Sequence, residues 1–224
     1  MQCFATDGKT VSVFPSAVPG APVIYLNTFA DEGQKVFAAT QAAACPAFTL
    51  VAVHELDWNH DMTPWESPPV FKNTPPCTGG AGDYLRLLTE EIAPTVEKAL
   101  SQAPRWRGIA GYSLAGLFAM YALCQTDMFS RAGSISGSLW YLGMKEYLFS
   151  HIPSSLPDCI YFSLGERESK TRNPVLQCVR RNTEEIQTFY QNKGIDTVFQ
   201  LNPGNHYDHA TERTAAGIVW MLNQ

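Results

Sequence analysis

Gly108-Ile109-Ala110-Gly111-Tyr112-Ser113-Leu114-Ala115-Gly116 reads as a strand that turns sharply into a helix. The residues two before and two after Ser113 are Gly111 and Ala115, so the pattern is Gly-x-Ser-x-Ala, one methyl away from Gly-x-Ser-x-Gly. Small residues there let strand and helix approach closely and leave the serine hydroxyl clear of its neighbours. A hydroxyl is a weak nucleophile and reacts only when it is presented to a base. The helix that follows, Leu114 to Cys124, carries Ala115, Gly116, Ala119 and Ala122 and almost no polar side chain, which implies burial against a sheet. A five-residue pattern also arises by chance, as a small-residue turn with a solvated hydroxyl. The strand before it and the helix after it argue against that plainer reading.

Outward from this turn, apolar β-rich runs alternate with helical patterns, as parallel strands joined by crossover helices require. The runs are 23–26, 48–53, 108–111, 132–135, 160–164 and 197–201, and each is continuously apolar rather than alternating, as strands covered on both faces are. Thr10 to Phe14 predicts an antiparallel strand at the edge. Leu85, Leu88, Ile92, Val96 and Ala99 mark one helix face after a possible N-cap at Asp83, with Pro94 expected to kink or split that helix. Asn173-Pro174 opens another helix through Leu176, Val179, Thr183, Ile186 and Tyr190, and Gly194 ends it. Thr211 to Leu222 is the last amphipathic helix. The expected architecture is an α/β-hydrolase three-layer sandwich: one domain over residues 1–224, a mostly parallel sheet with helices on both faces, and no large lid domain. The proline-rich stretch 57–78 is expected to wall a cleft.

In this fold the nucleophile is followed by an acid after a later strand and by a histidine after the last strand. That order is present. Strand 160–164 runs into Gly165-Glu166-Arg167-Glu168, and strand 197–201 into Asn202-Pro203-Gly204-Asn205-His206. The carboxylate holds the imidazole tautomer, and His206 takes the Ser113 proton and returns it to the leaving group. His209 reads as an exposed histidine at the start of the final helix. Acyl transfer also needs donors for the developing oxyanion. One is the backbone N–H of Leu114; the other comes from the loop Leu26-Asn27-Thr28-Phe29, where the amide of Phe29 is nominated and that of Thr28 is the alternative.

Composition excludes several classes. Hydrophobic residues at 45% and charged ones at 17% argue for a buried core over disorder. A net charge of −5 and a pI near 5.5 argue against a nucleic-acid partner. No apolar stretch approaches a membrane span, and Met1 to Asp7 has no basic segment leading into an apolar run, so no membrane association is expected. Six scattered cysteines without a Cys-x-x-Cys read as buried free thiols in a reducing, cytoplasmic setting. His54-Glu55-Leu56-Asp57 and His206-Tyr207-Asp208-His209 lack metal-site spacing, and Gly79-Gly80-Ala81-Gly82 lacks a Walker lysine. No metal and no cofactor are expected, and the glycines read as loop flexibility.

The chain resembles the putative-esterase family of α/β-hydrolases, which includes esterase D-like and enterochelin-type siderophore esterases. The motifs that carry the resemblance are Asp61-Met62-Thr63-Pro64, Gly79 to Leu85 with Glu91-Ile92-Ala93-Pro94, Gly111 to Gly116, and Ser136-Gly137-Ser138-Leu139-Trp140. The resemblance implies Ser113 as nucleophile, His206 as base, an acid within 166–168, and Ser138 and Trp140 at the cleft rim as substrate-binding candidates. Of the two acids, Glu168 is chosen, because Gly165-x-x-Glu168 reproduces the Gly-x-x-Asp spacing frequent in related hydrolases; Glu166 is the alternative. Where the family has an aspartate–glycine pair after the oxyanion strand, this chain has Asn27-Thr28. An acidic chain with few lysines also fits an anionic ferric catecholate poorly.

The expected activity is hydrolysis of a small-molecule carboxylic ester through an acyl-serine. Acyl transfer with the same three residues and a non-catalytic binding protein of the same fold are the competing readings. Oligomeric state leaves no signature in the sequence.

Overall fold

The computed structural model describes residues 1–70 and 73–224. Its strands are β1 (Gln2–Thr6), β2 (Lys9–Phe14), β3 (Val23–Asn27), β4 (Thr49–His54), β5 (Glu66–Ser67), β6 (Cys77–Thr78), β7 (Arg107–Tyr112), β8 (Arg131–Ile135), β9 (Cys159–Gly165) and β10 (Asp196–Asn202). Eight of them form one sheet in the order β1-β2-β4-β3-β7-β8-β9-β10, and β5 pairs with β6 apart from it. The β1–β2 and β2–β4 pairings are antiparallel, and every pairing from β4 to β10 is parallel. The expected α/β-hydrolase architecture is thus present. Every residue of β3 and of β9 is buried, which is why both read as unbroken apolar runs.

The helices are α1 (Gly33–Ala42), α2 (Trp58–Asp61), α3 (Ala81–Arg86), α4 (Ala93–Lys98), α5 (Leu114–Gln125), α6 (Met144–Ser150), α7 (Pro174–Gln177), α8 (Val179–Gln191) and α9 (Ala210–Leu222). On one sheet face, Val36 of α1 and Ile218, Met221 and Leu222 of α9 pack on Ile24, Leu26, Leu50 and Ala110. On the other face, α3 to α6 and α8 cover Tyr25, Val51, Val53, Ile109 and Phe162. Leu114 through Met120 are all buried, which accounts for the nearly all-apolar composition of α5.

Several expectations are corrected. The sheet's edges are β1 and β10, so Lys9–Phe14 lies inside it and the run 197–201, expected to be covered on both faces, is an edge strand with no buried residue; the alternating, half-exposed Gln2–Thr6 carries no apolar run to announce a strand. The helix placed after Asp83 begins at Ala81, with Asp83 in its first turn. It passes through a π-helical turn over Leu87–Ile92 before α4, where Pro94 sits in the first turn and needs no N–H partner. Asn173 does cap α7, its side chain accepting from Val175 N–H at 3.0 Å, but the helix breaks at Cys178 before α8. The glycines at 79–80 serve close approach: a Cβ on Gly80 would fall 2.2 Å from His60 Nε2. All six cysteines are free, yet only Cys77 and Cys159 are buried.

Candidate active site

The three residues singled out for chemistry lie at the carboxyl ends of β7, β9 and β10, where loops of a doubly wound sheet converge. Ser113 occupies the turn between β7 and α5 with φ 60° and ψ −123°, a strained conformation for a residue with a side chain. The turn is tight because Gly111 has no Cβ: one added there would fall 2.4 Å from the Ala115 backbone. Ala115 is therefore the size the crossing permits.

His206 Nε2 lies 3.1 Å from Ser113 Oγ, and its Nδ1 lies 2.7 Å from Glu168 Oε2. With Nδ1–H donating to Glu168, Nε2 is left as the acceptor for the serine O–H. Glu168 is nearly enclosed, its side chain 5% exposed. Burial by itself would raise its carboxyl, but the hydrogen bond and charge of His206, the Gly165 N–H at 2.6 Å and the Ser136 hydroxyl at 2.8 Å outweigh burial and hold it below the ordinary carboxylate value. Glu166 is exposed, and its backbone N–H is bound to Asn202 O at 2.8 Å. Of the two acids only Glu168 touches the histidine. Arg167, between them, lies 3.6 Å from Asp208 at the surface. His209 is the exposed N-cap of α9, held in the left-handed region at φ 57°.

The two nominated oxyanion amides fare differently. Leu114 opens α5, where unsatisfied N–H groups and the positive end of the helix dipole lie. Thr28 drops out, because its N–H donates to Val53 O at 2.9 Å and its hydroxyl to the same carbonyl at 3.3 Å. Phe29 follows it in the loop and lines the cleft.

The cleft has a volume of about 730 Å³, and both Ser138 and Trp140 line it. Trp140 is a half-buried wall, whereas Ser138 lies on the floor and not at the rim. Ser138 is 1% exposed, its Oγ lies 3.4 Å from Ser113 Oγ, and its N–H donates to Ser113 O at 3.0 Å. The 57–78 stretch contributes only Trp58 to the lining among its described residues, and Phe71 and Lys72 of it lie outside the description.

Four contributors carry roles that the sequence alone does not assign. The Tyr112 hydroxyl donates to His206 O at 2.6 Å. Ser136 donates to Glu168 from a left-handed backbone position, φ 44°. Arg213, 3% exposed, donates to Pro203 O at 2.6 Å and Asn205 O at 3.0 Å, and lies 3.6 Å from Glu168 Oε1. Asn27, 1% exposed, accepts from Tyr84 Oη at 2.5 Å, while its Nδ2 has no partner among the described residues. Arg213 did leave a trace: it stands on the buried stripe Arg213, Thr214, Gly217, Ile218, Met221, where a charge must find partners.

Comparison with known proteins agrees with the fold. The chain is similar to the uncharacterized protein YbbA of Bacillus subtilis (strain 168), at 26% identity over 185 residues, 79% of this chain and 73% of that one. The structure resembles the siderophore hydrolase EstA from Aspergillus nidulans, with TM-score 0.76 and 18% identity over 99% of this chain and 93% of that one. It also resembles an IroE-like serine hydrolase from Shewanella oneidensis, with TM-score 0.77 and 19% identity over 96% of this chain and 76% of that one. Among the described residues no helix is long and apolar enough to cross a membrane. The family model described as putative esterase matches residues 16–212, and the chain belongs to that family.

Proposed function

We propose that the protein hydrolyses a small carboxylic ester through an acyl-enzyme on Ser113, with His206 as general base and acid and Glu168 as the carboxylate that orients it. The observation that carries this reading is the unbroken hydrogen-bonded chain from Ser113 Oγ through both nitrogens of His206 to Glu168, at 3.1 and 2.7 Å. As Ser113 Oγ attacks the ester carbonyl carbon, its proton passes to His206 Nε2 and the carbonyl oxygen becomes an oxyanion. The amides of Leu114 and Phe29 are the donors assigned to that oxygen. Collapse breaks the bond to the alcohol oxygen, which leaves with the proton from Nε2. Water then attacks the acyl-serine, gives its proton to the same nitrogen, and the acid departs as Ser113 recovers its hydrogen. Throughout, the ionised Glu168 stabilises the transient imidazolium.

The test is covalent labelling with a fluorophosphonate, read by intact mass. The parent should gain one phosphonyl group in a time-dependent reaction, and Ser113→Ala should gain none. Equal labelling of the variant would remove Ser113 from the mechanism.

A further inference from the structure

The cleft in front of Ser113 has walls of carbon. Phe29, Trp58, Trp140, Leu176, Val179 and Tyr207 line it. Two of them stand at its mouth largely in water, Phe29 at 68% and Tyr207 at 81% exposure. Phe29 is braced there, packed edge-on against Trp58 with ring centroids 5.3 Å apart. Large apolar side chains fixed at a pocket mouth mark a surface that an apolar ligand completes.

The charges point the same way. Among the described lining residues, the ionisable groups other than His206 and Tyr side chains are Glu32, Arg167 and Glu168. Glu168 is engaged by His206, and Arg167 faces Asp208 at 3.6 Å. The Glu32 carboxylate, the N-cap of α1, is the one of the three without an opposite side-chain charge beside it among the described residues. A siderophore that holds iron on catecholates is anionic, and this wall would repel it.

Resting on the acyl-serine reading above, we propose that the protein's substrate is an uncharged ester with an apolar acyl chain of several carbons, and that Glu32 selects against anionic esters. The selection is carried by the cleft lining and is separable from the chemistry of the serine.

The test uses length-matched p-nitrophenyl esters, valerate and the mono-ester of glutarate, which differ by a methyl against a carboxylate. Each kcat/KM is divided by the ester's own hydroxide-catalysed rate. The valerate should be favoured on the order of tenfold, the equivalent of about 1.4 kcal/mol. From acetate to valerate, kcat/KM should climb by as much as about fourfold per methylene, the equivalent of about 0.8 kcal/mol each. Glu32→Gln should shrink the valerate-to-glutarate ratio, and Trp140→Ala should flatten the climb with chain length. A ratio below about threefold in the parent, or a ratio that Glu32→Gln leaves unchanged, overturns the proposal. Acetate is the control for the reaction itself. If Ser113→Ala still turns it over, the serine reading fails; if acetate turnover needs Ser113 while the ratio is flat, only the selectivity fails.

Discussion

The Tyr112 hydroxyl donates to the main-chain carbonyl of His206 at 2.6 Å, so the residue just before the serine holds the loop that carries the imidazole. The Tyr112 and His206 rings also face each other with centroids 5.4 Å apart. Strand β7 thereby fixes both ends of the Ser113–His206 hydrogen bond. Tyr112→Phe keeps the ring and deletes the O–H, which frees the loop without opening a cavity. Loss of one such neutral bond costs about 1 kcal/mol of stability. The expected outcome is a kcat lowered about tenfold with KM near the parental value, measured by steady-state kinetics on p-nitrophenyl acetate. A rise in KM at constant kcat would place Tyr112 in substrate binding instead.

Arg213 secures the same loop from behind, through Pro203 O, Asn205 O and the Tyr112 hydroxyl, at 2.6, 3.0 and 3.3 Å. Arg213→Met fits the stripe on α9 but removes all three bonds at once, donated by a side chain that is 3% exposed. The cost should be about 3 kcal/mol or more, a fall in Tm of roughly 6–12 °C for a chain of this size. Arg213→Lys restores a charge and a single donor point but not the planar fork, so it should recover only part of that loss. Differential scanning calorimetry of both variants checks the order parent, Lys, Met.

Glu168→Gln keeps the shape and removes the charge beside His206, so kcat should fall by orders of magnitude through a wrong tautomer and an unstabilised imidazolium. Glu166→Gln, on an exposed side chain, should leave kcat within about twofold of the parent. A crippled Glu166→Gln with an active Glu168→Gln would reverse the assignment.

The same carboxyl should mark the acid stability of the fold. Its folded-state value lies below the ordinary 4.5, so ionised Glu168 contributes stability that is fully present above the unfolded-state value and is lost as pH falls through the folded-state value. Glu168→Gln cannot titrate. The Tm gap between parent and Glu168→Gln should therefore shift against the parent on acidification below about pH 4.5. A gap that is flat down to pH 3 would show that the carboxyl is not held low.

What the sequence disclosed and what it hid follow one physical division. Ser113 and Glu168 were legible because each stands just past a run buried against both layers, and such runs announce themselves; His206 was legible from its place after the last strand, β10, an edge strand with no buried residue. Strand β1 did not announce itself, since its edge position demands no apolar run. The choice of Glu168 over Glu166 rested on spacing alone, and the structure supplies the contact. Thr28 could not be set aside without its bond to Val53 O, because backbone donors leave no residue signature. Ser136 and Tyr112 were invisible for a related reason: each reaches the site through a partner at least 32 positions away in the chain.

Ser113 itself should be a source of instability. Its φ of 60° with ψ −123° suits glycine, and the surroundings enforce it: its N–H donates to Ile135 O at 3.1 Å, and its carbonyl accepts from Gly116, Leu117 and Ser138. A side chain held in such a region costs of order 1–3 kcal/mol. Ser113→Ala keeps the Cβ and the strain, whereas Ser113→Gly removes both. Both variants lose the hydroxyl and its bond to His206, so that loss cancels in the comparison. Glycine adds backbone entropy to the unfolded chain, which takes back roughly 0.5–1 kcal/mol. The net expectation is that Ser113→Gly is about 1 kcal/mol more stable than Ser113→Ala, or roughly 2–4 °C in Tm, with both inactive. Thermal unfolding of the two proteins in one buffer decides it: if the alanine variant is equal or more stable, the turn stores no strain at Ser113.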